Sequence, residues 1–215
     1  MMEALQMNNS IPEVAWQNEI IDPSKPVIVL FLGSNQDSTF SKDTPGLLDV
    51  AQKFRSEGYH VQVFETGSNP IDADQEFETR SGKYNEATLW FQQTYTGIQQ
   101  TGEIIVIGYS WGAGMMHDVV AQAIVDNPNL VIRGSVSIDG VYLGGVLPQK
   151  ICPPTSFNHL QIYQNQETLH GSTVWQIDGN TQYVNMLIED SSHTQIDEDE
   201  RVHQAINQFI IDLWK

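Results

Sequence analysis

The sequence has one cysteine, few basic residues and no long hydrophobic run, and each shortage excludes a class of protein. Cys152 is the only cysteine among 215 residues, so no disulfide forms within the chain and no Cys/His cluster has the spacing of a zinc site. Lysine and arginine number 10 against 27 acidic residues, which gives a formal net charge of −17. A nucleic-acid or anionic-membrane surface is therefore not expected, because both need clustered basic side chains.

The apolar runs are of strand length, which excludes a membrane-spanning helix. Residues 1–16 are polar, are interrupted by Pro12 and lack basic residues at their start, which is not the pattern of a signal peptide. A cytoplasmic location is therefore expected. The length suits a single domain over residues 1–215 without room for a cap domain, with residues 1–22 as a loosely packed N-terminal extension. The sequence predicts no particular oligomeric state.

Hydrophobic periodicity predicts strands that alternate with helices. The predicted strands are residues 26–32, 60–64, 104–107, 131–138, 160–163 and 183–188. The predicted helices are residues 45–57, 84–100, 115–125 and 200–214, and the second is expected to place Leu89, Trp90, Thr94 and Ile98 on one side. This alternation predicts an α/β fold: a mostly parallel sheet of about six strands with helices on both faces.

The third strand leads into the most specific motif of the chain. Its β-branched run ends in Gly108-Tyr109-Ser110-Trp111-Gly112, and a helix-compatible segment follows. Gly-x-Ser-x-Gly between a strand and a helix is typical of a nucleophile elbow. A turn this tight strains the serine backbone, and a Cβ at either glycine would collide with a neighbouring strand or helix. Ser110 is therefore the predicted nucleophile; an ordinary buried serine in a glycine-rich turn is the alternative.

A nucleophilic serine needs a histidine base, and the chain has six histidines. Four are expected at the wrong edge of the sheet or inside helices: His60, His117, His159 and His203. Of the remaining two, His170 and His193, the second lies directly after the last strand and before the last helix. Because this gives the chain order Ser, acid, His, we predict His193 as the base.

Three carboxylates compete to orient that histidine. Asp139 directly follows a strand, and packing at a strand end would hold its carboxylate in place for an imidazole. Glu167 follows the next strand, and Asp178 lies later in the same connection. Asp139 is preferred and the other two stay open. The competing interpretation of Asp139 is a turn aspartate that hydrogen-bonds its own backbone before Gly140.

The reaction also needs donors for an oxyanion and a pocket for the substrate. We predict one donor in the amide of Trp111 and a second in Ser34 or Asn35, in the turn after the first strand. Apolar side chains near the elbow and the 141–154 loop predict the pocket: Tyr109, Met115, Val141 and Tyr142. The acidic run 197–200 is interpreted as a cluster at a helix N-terminus rather than a metal site, and no metal or organic cofactor is expected.

Together these residues resemble the α/β-hydrolase superfamily. The resemblance rests on residues 27–34 as strand and oxyanion turn, on the elbow, and on His193 after the last strand. Asp139 is similar to the acid of lipase-like members, in which an Ile/Leu-Asp-Pro context places it one strand early, although Gly140 replaces the proline here. Leu32-Gly33 likewise stands where His-Gly is usual. The resemblance implies hydrolysis of an ester, a thioester or an amide.

The expected function is a serine hydrolase that cleaves small-molecule carboxylic esters through an acyl-enzyme, as a lipase-like or medium-chain esterase would. A thioesterase or peptidase could use the same triad. A third possibility is a non-catalytic α/β-hydrolase scaffold that binds a small molecule or a protein. An intact acid favours the enzyme, whereas a missing acid favours the scaffold.

Overall fold

The computed structural model describes residues 25–33, 36, 46–66, 84–92, 103–142, 147–148, 153, 156–173 and 181–214. The strands are β1 (Val27–Phe31), β2 (His60–Phe64), β3 (Ile104–Tyr109), β4 (Ile132–Ile138), β5 (Val141–Tyr142), β6 (Leu147–Pro148), β7 (Ser156–Tyr163) and β8 (Gln182–Leu187). The helices are α1 (Leu47–Ser56), α2 (helical over 84–92), α3 (Trp111–Asp126) and α4 (Glu200–Leu213). Within these ranges no helix is both long and apolar enough to cross a bilayer.

Six strands form one parallel sheet in the order β2-β1-β3-β4-β7-β8, and β5 and β6 form a separate antiparallel pair. The predicted α/β class and six-stranded parallel sheet are confirmed. From β1 the chain adds β2 on one side and β3 on the other, so the direction of winding changes between β1 and β3. In open α/β sheets a crevice forms at such a switch point, beyond the carboxyl ends of the strands.

Strand β1 lies at the centre of two apolar layers. Its five residues are fully buried, and alternate side chains point to opposite faces. Ile28 and Leu30 pack with α1 and α4, whereas Val29 and Phe31 pack with α2 and α3. This explains the continuous apolar run in the sequence, since a parallel strand covered by helices on both faces has no polar side.

Helix α1 ends at the glycine that the sequence predicts. Gly58 adopts φ 82°, and its N–H donates to Arg55 O at 2.9 Å. The next N–H, that of Tyr59, reaches back to Phe54 O at 3.0 Å, and the two rings meet edge to face at 5.3 Å. This pair of hydrogen bonds with its apolar contact is a Schellman motif.

Helix α3 begins four residues earlier than predicted, at Trp111 rather than residue 115. The prediction was wrong because Gly112 and Gly114 are poor helix formers and conceal the start of the helix. In the structure the elbow passes into α3 without a linker, and Ser110 is the residue just before the first turn. The nucleophile candidate therefore sits directly at a helix N-terminus.

Strand β7 begins at Ser156 rather than residue 160, because polar residues conceal its first half. His159 thus lies within the strand instead of before it. Its side chain is buried, and its Nδ1 lies 2.7 Å from Ser135 Oγ on β4. Burial lowers the pKa of His159 to about 4, so the imidazole is neutral at pH 7.

The face that α2 buries differs from the predicted one. Leu89 is 51% exposed, whereas Ala87 and Phe91 are buried against the sheet. Trp90 packs partly against the same layer, with its ring 5.7 Å from that of Phe64. The prediction that Leu89 lies on the buried side of the helix was therefore wrong. Thr94 and Ile98, which were predicted on the same side, lie outside the described residues.

Candidate active site

Ser110 occupies a strained backbone position at the carboxyl end of β3. Its φ of 53° and ψ of −123° are rare for a residue with a side chain. Its N–H donates to Ile138 O at 2.9 Å, and its carbonyl accepts the N–H groups of Ala113 and Val141, both at 3.1 Å. Hydrogen bonds from the next strand and the next helix therefore hold the strained turn in place.

The two glycines of the elbow are required by close contacts, as predicted. A Cβ on Gly108 would lie 2.6 Å from Ala113 Cα in helix α3. A Cβ on Gly112 would lie 2.2 Å from Phe31 O and 2.5 Å from Leu32 O, at the end of β1. Both distances are far below van der Waals contact, so only glycine allows helix α3 to start against β1 and β3.

The structure brings the predicted nucleophile, base and preferred acid together. Ser110 Oγ lies 2.7 Å from His193 Nε2, and His193 Nδ1 lies 2.7 Å from Asp139 Oδ2. The exposed fractions of the three residues are 6%, 5% and 0%. A neutral imidazole with its proton on Nδ1 would donate to Asp139 and accept the hydroxyl proton of Ser110. This is the geometry that a serine nucleophile needs for activation.

The Asp139 carboxylate is fixed by more than the imidazole. Its Oδ1 accepts the backbone N–H groups of Gln164 and Gly171 at 3.1 and 2.5 Å, and its Oδ2 accepts Gln164 Nε2 at 2.9 Å. Gly171 comes so close that a Cβ there would lie 2.8 Å from Asp139 Cα. These partners lie 25 and 32 residues away, so the carboxylate is not a turn aspartate that bonds its own backbone.

Of the other two candidate acids, the structure describes only Glu167, and it does not occupy the position of Asp139. Glu167 Oε2 accepts the backbone N–H of His193 at 2.8 Å instead of an imidazole nitrogen. Asp178 lies outside the described residues. The place of Glu167 after a strand marks it as a candidate partner of the base. Which atom of the histidine it contacts is not predictable from the sequence, because the contact joins residues that are 26 positions apart.

Tyr109 holds the other side of the His193 backbone. Its hydroxyl donates to His193 O at 2.5 Å, and the two rings are tilted by 31° with centroids 5.7 Å apart. Burial, together with the nearby Asp197 and Asp139, raises the pKa of Tyr109, so its hydroxyl stays a donor. The sequence suggested Tyr109 only as a pocket wall and gave no signal for this hydrogen bond.

The remaining predicted site residues are described to different extents. Trp111 is the first residue of α3, which places its amide beside Ser110, while Ser34 and Asn35 lie outside the described residues. Met115 and Val141 are buried, and Met115 belongs to the apolar layer between the sheet and helices α2 and α3. Tyr142 lies in β5. Contact of any of these residues with a substrate stays a prediction.

The acidic run before α4 divides into two parts that the sequence did not separate. Asp199 caps the helix as expected, because its side chain accepts the N–H of Arg201 at 2.9 Å. Asp197 instead points inward, is 2% exposed and accepts Gln36 Nε2 at 2.8 Å. Burial raises the pKa of Asp197 to about 6. The helix-terminus interpretation is therefore wrong for Asp197.

Comparison with known proteins finds similar structures but no matching family model or curated sequence. ClbQ, from the colibactin NRPS/PKS pathway, aligns with a TM-score of 0.51 at 12% identity, over 88% of this chain and 98% of its own. A protein of Xanthomonas campestris pv. campestris, assigned to the α/β superfamily of hydrolases, gives 0.47 at 13% identity over 86% and 99%. A structure from the study of LipS and LipT, two metagenome-derived lipolytic enzymes, gives 0.47 at 12% over 90% and 100%.

Proposed function

We propose that this chain, which has the α/β-hydrolase fold, is a serine hydrolase that cleaves carboxylic esters through an acyl-enzyme. The observation that carries the proposal is the continuous hydrogen-bonded chain Ser110–His193–Asp139, with both contacts at 2.7 Å. It lies beyond the strand ends, beside the switch point between β1 and β3. Because fold alone does not imply function, the proposal depends on this site and not on the likeness to other hydrolases.

The geometry supports the following sequence of steps. His193 Nε2 removes the hydroxyl proton as Ser110 Oγ attacks the ester carbonyl, and Asp139 stabilises the imidazolium. The resulting oxyanion is held by the Trp111 amide and by a second donor in the turn after β1, for which Ser34 and Asn35 are the candidates. His193 then protonates the leaving alkoxide, which departs as an alcohol and leaves an acyl-Ser110. A water molecule, deprotonated by His193, releases the carboxylic acid and regenerates the serine.

The same residues could act on a thioester or an amide, since neither the nucleophile nor the base selects the leaving group. The non-catalytic scaffold is disfavoured, because a strained serine, a buried histidine and a fourfold-bonded aspartate are costly to keep without a reaction to perform. We therefore place ester hydrolysis first and make the thioester a comparison within the same experiment.

The test uses a fluorophosphonate probe, which reacts covalently with activated serines. Wild-type protein should be labelled, and the Ser110→Ala variant should not. A series of p-nitrophenyl esters of increasing acyl length, with thioesters of the same acyl groups, then measures kcat/KM for each class. Unlabelled wild-type protein, or labelled Ser110→Ala protein, would contradict the mechanism, and higher kcat/KM for every thioester would replace the esterase with a thioesterase.

A further inference from the structure

A second chain of hydrogen bonds reaches the turn after β1, and the mechanism above does not use it. Gly33 N–H donates to Gln36 Oε1 at 2.9 Å, and Gln36 Nε2 donates to Asp197 Oδ2 at 2.8 Å. Gly33 and Gln36 border the two residues predicted to supply the second oxyanion donor. Asp197 lies 161 residues further along the chain than Gln36, so this contact ties the turn to a distant segment.

The position of Asp197 is itself closely fixed. It lies in a single 3-10 turn, Ile196–Glu198, whose first N–H donates to Ser192 O at 3.0 Å. Its carboxylate also accepts the N–H of Leu47, at the start of α1. Gly46, at φ 86°, makes room for it, because a Cβ there would lie 2.3 Å from Asp197 Oδ2.

Asp197 lies close along the chain to the base of the proposed reaction. His193 is four residues before it, and the hydrogen bond from Ile196 N–H to Ser192 O joins the residues that directly precede the two. Tyr109 links the same two regions, since its hydroxyl bonds His193 O while a Cβ on Gly33 would lie 2.8 Å from its ring. Gly33 is therefore held relative to the segment that carries the imidazole.

We infer that Asp197 is a positioning residue that acts through Gln36 to hold Gly33 and Gln36, the two residues that border the predicted second oxyanion donor. The inference rests on the proposed hydrolase function. Within the part of the chain that the structure describes, the donors to this buried carboxylate include the side-chain amide of Gln36 and the backbone amide of Leu47. A buried carboxylate is costly, and such groups concentrate at functional sites.

The inference predicts a loss of kcat with little change in KM. Oxyanion donors act on charge that develops in the transition state, so a shifted turn weakens the transition state more than the bound substrate. Asp197→Asn leaves one acceptor for two donors and should lower kcat about 10-fold. Gln36→Glu sets two carboxylates against each other and should lower kcat about 100-fold, which is the order expected for a displacement of about 1 Å.

The decisive variant exchanges donor and acceptor. In the double variant Gln36→Glu with Asp197→Asn, the new carboxylate accepts from Gly33 N–H and from the new amide, whose oxygen still accepts from Leu47 N–H. Net charge is unchanged. We expect kcat within about 3-fold of wild type, well above either single variant, as coupling within one hydrogen-bonded network requires. Asp199→Asn is the matched control, because it removes a neighbouring carboxylate that caps α4 and should leave kcat unchanged.

Fluorophosphonate labelling gives the concentration of active enzyme in each preparation, and thermal unfolding shows whether each variant is folded. The measured kcat then refers to folded protein. If Gln36→Glu fails to fold, Gln36→Met removes both hydrogen bonds at similar volume and should show the same loss of kcat. Single variants as active as wild type, or a double variant no better than the worse single, would overturn the inference while the hydrolase proposal stands. An unlabelled wild-type protein that hydrolyses no ester or thioester overturns both.

Discussion

Two carboxylates hold different atoms of His193, and substituting each by its amide separates their roles. Asp139→Asn should lower kcat by about 10³–10⁴-fold, because the amide favours the wrong imidazole tautomer. Glu167→Gln should lower kcat less than about 10-fold, since the new side chain still has an oxygen to accept the His193 N–H. Steady-state kinetics on one ester checks both. Full activity in Asp139→Asn would assign the acid to Glu167 or Asp178 instead.

Asp197 makes the stability of the protein depend on pH in an unusual direction. Burial raises its pKa from 3.8 to about 6, so the folded protein holds this proton more tightly than the unfolded chain does. Its contribution to stability is therefore greatest below about pH 4 and is lost as pH rises through 6. Between those pH values the wild type should lose about 2–3 kcal/mol of unfolding free energy relative to Asp197→Asn. Urea unfolding at several pH values measures the difference, and parallel curves would contradict it.

At the scale of secondary-structure elements, the junction of β1, β3 and α3 leaves no space for a side chain on Gly112. Gly112→Ala would drive a Cβ into the carbonyls of Phe31 and Leu32, so we expect a loss of more than about 3 kcal/mol in stability together with most of the activity. Gly58→Ala is the matched control. Its φ of 82° costs about 1–2 kcal/mol, but it ends α1 away from the site and should keep kcat. Urea unfolding and kcat of both variants test this, and wild-type kcat in a stable Gly112→Ala protein would contradict it.

The secondary-structure elements also show which parts of the fold could be predicted from the sequence. The apolar runs at β1 and β3 and the alternation at β2 mark strands because those residues face buried layers. The start of β7 and of α3 escaped prediction, because a polar network around His159 and a glycine pair at Gly112 and Gly114 override local propensity. Ser110, Asp139 and His193 were predictable from their places after strands. The contacts of Glu167, Tyr109 and Asp197 were not, since each joins segments far apart in sequence.

At the scale of the whole molecule, the net charge of −17 should govern which esters reach the site. A negative field lowers the encounter rate of an anionic substrate, and salt screens that field, with a Debye length of about 30 Å at 0.01 M and about 10 Å at 0.1 M. We expect kcat/KM for an anionic p-nitrophenyl ester to rise several-fold over this range, while a neutral ester of the same acyl length is unaffected. A fall for the anionic ester would indicate a locally positive entrance instead.

The proposed triad joins segments that lie far apart along the chain, with 83 residues from Ser110 to His193 and 54 from Asp139 to His193. Contacts of such long range form slowly, because each must close a large loop before any stabilisation is gained. Helices such as α1 and α3 depend on local hydrogen bonds and form much sooner. When the denatured protein refolds, its helical circular dichroism should therefore return before its hydrolytic activity, and recovered activity will report that the last parts of the fold are in place.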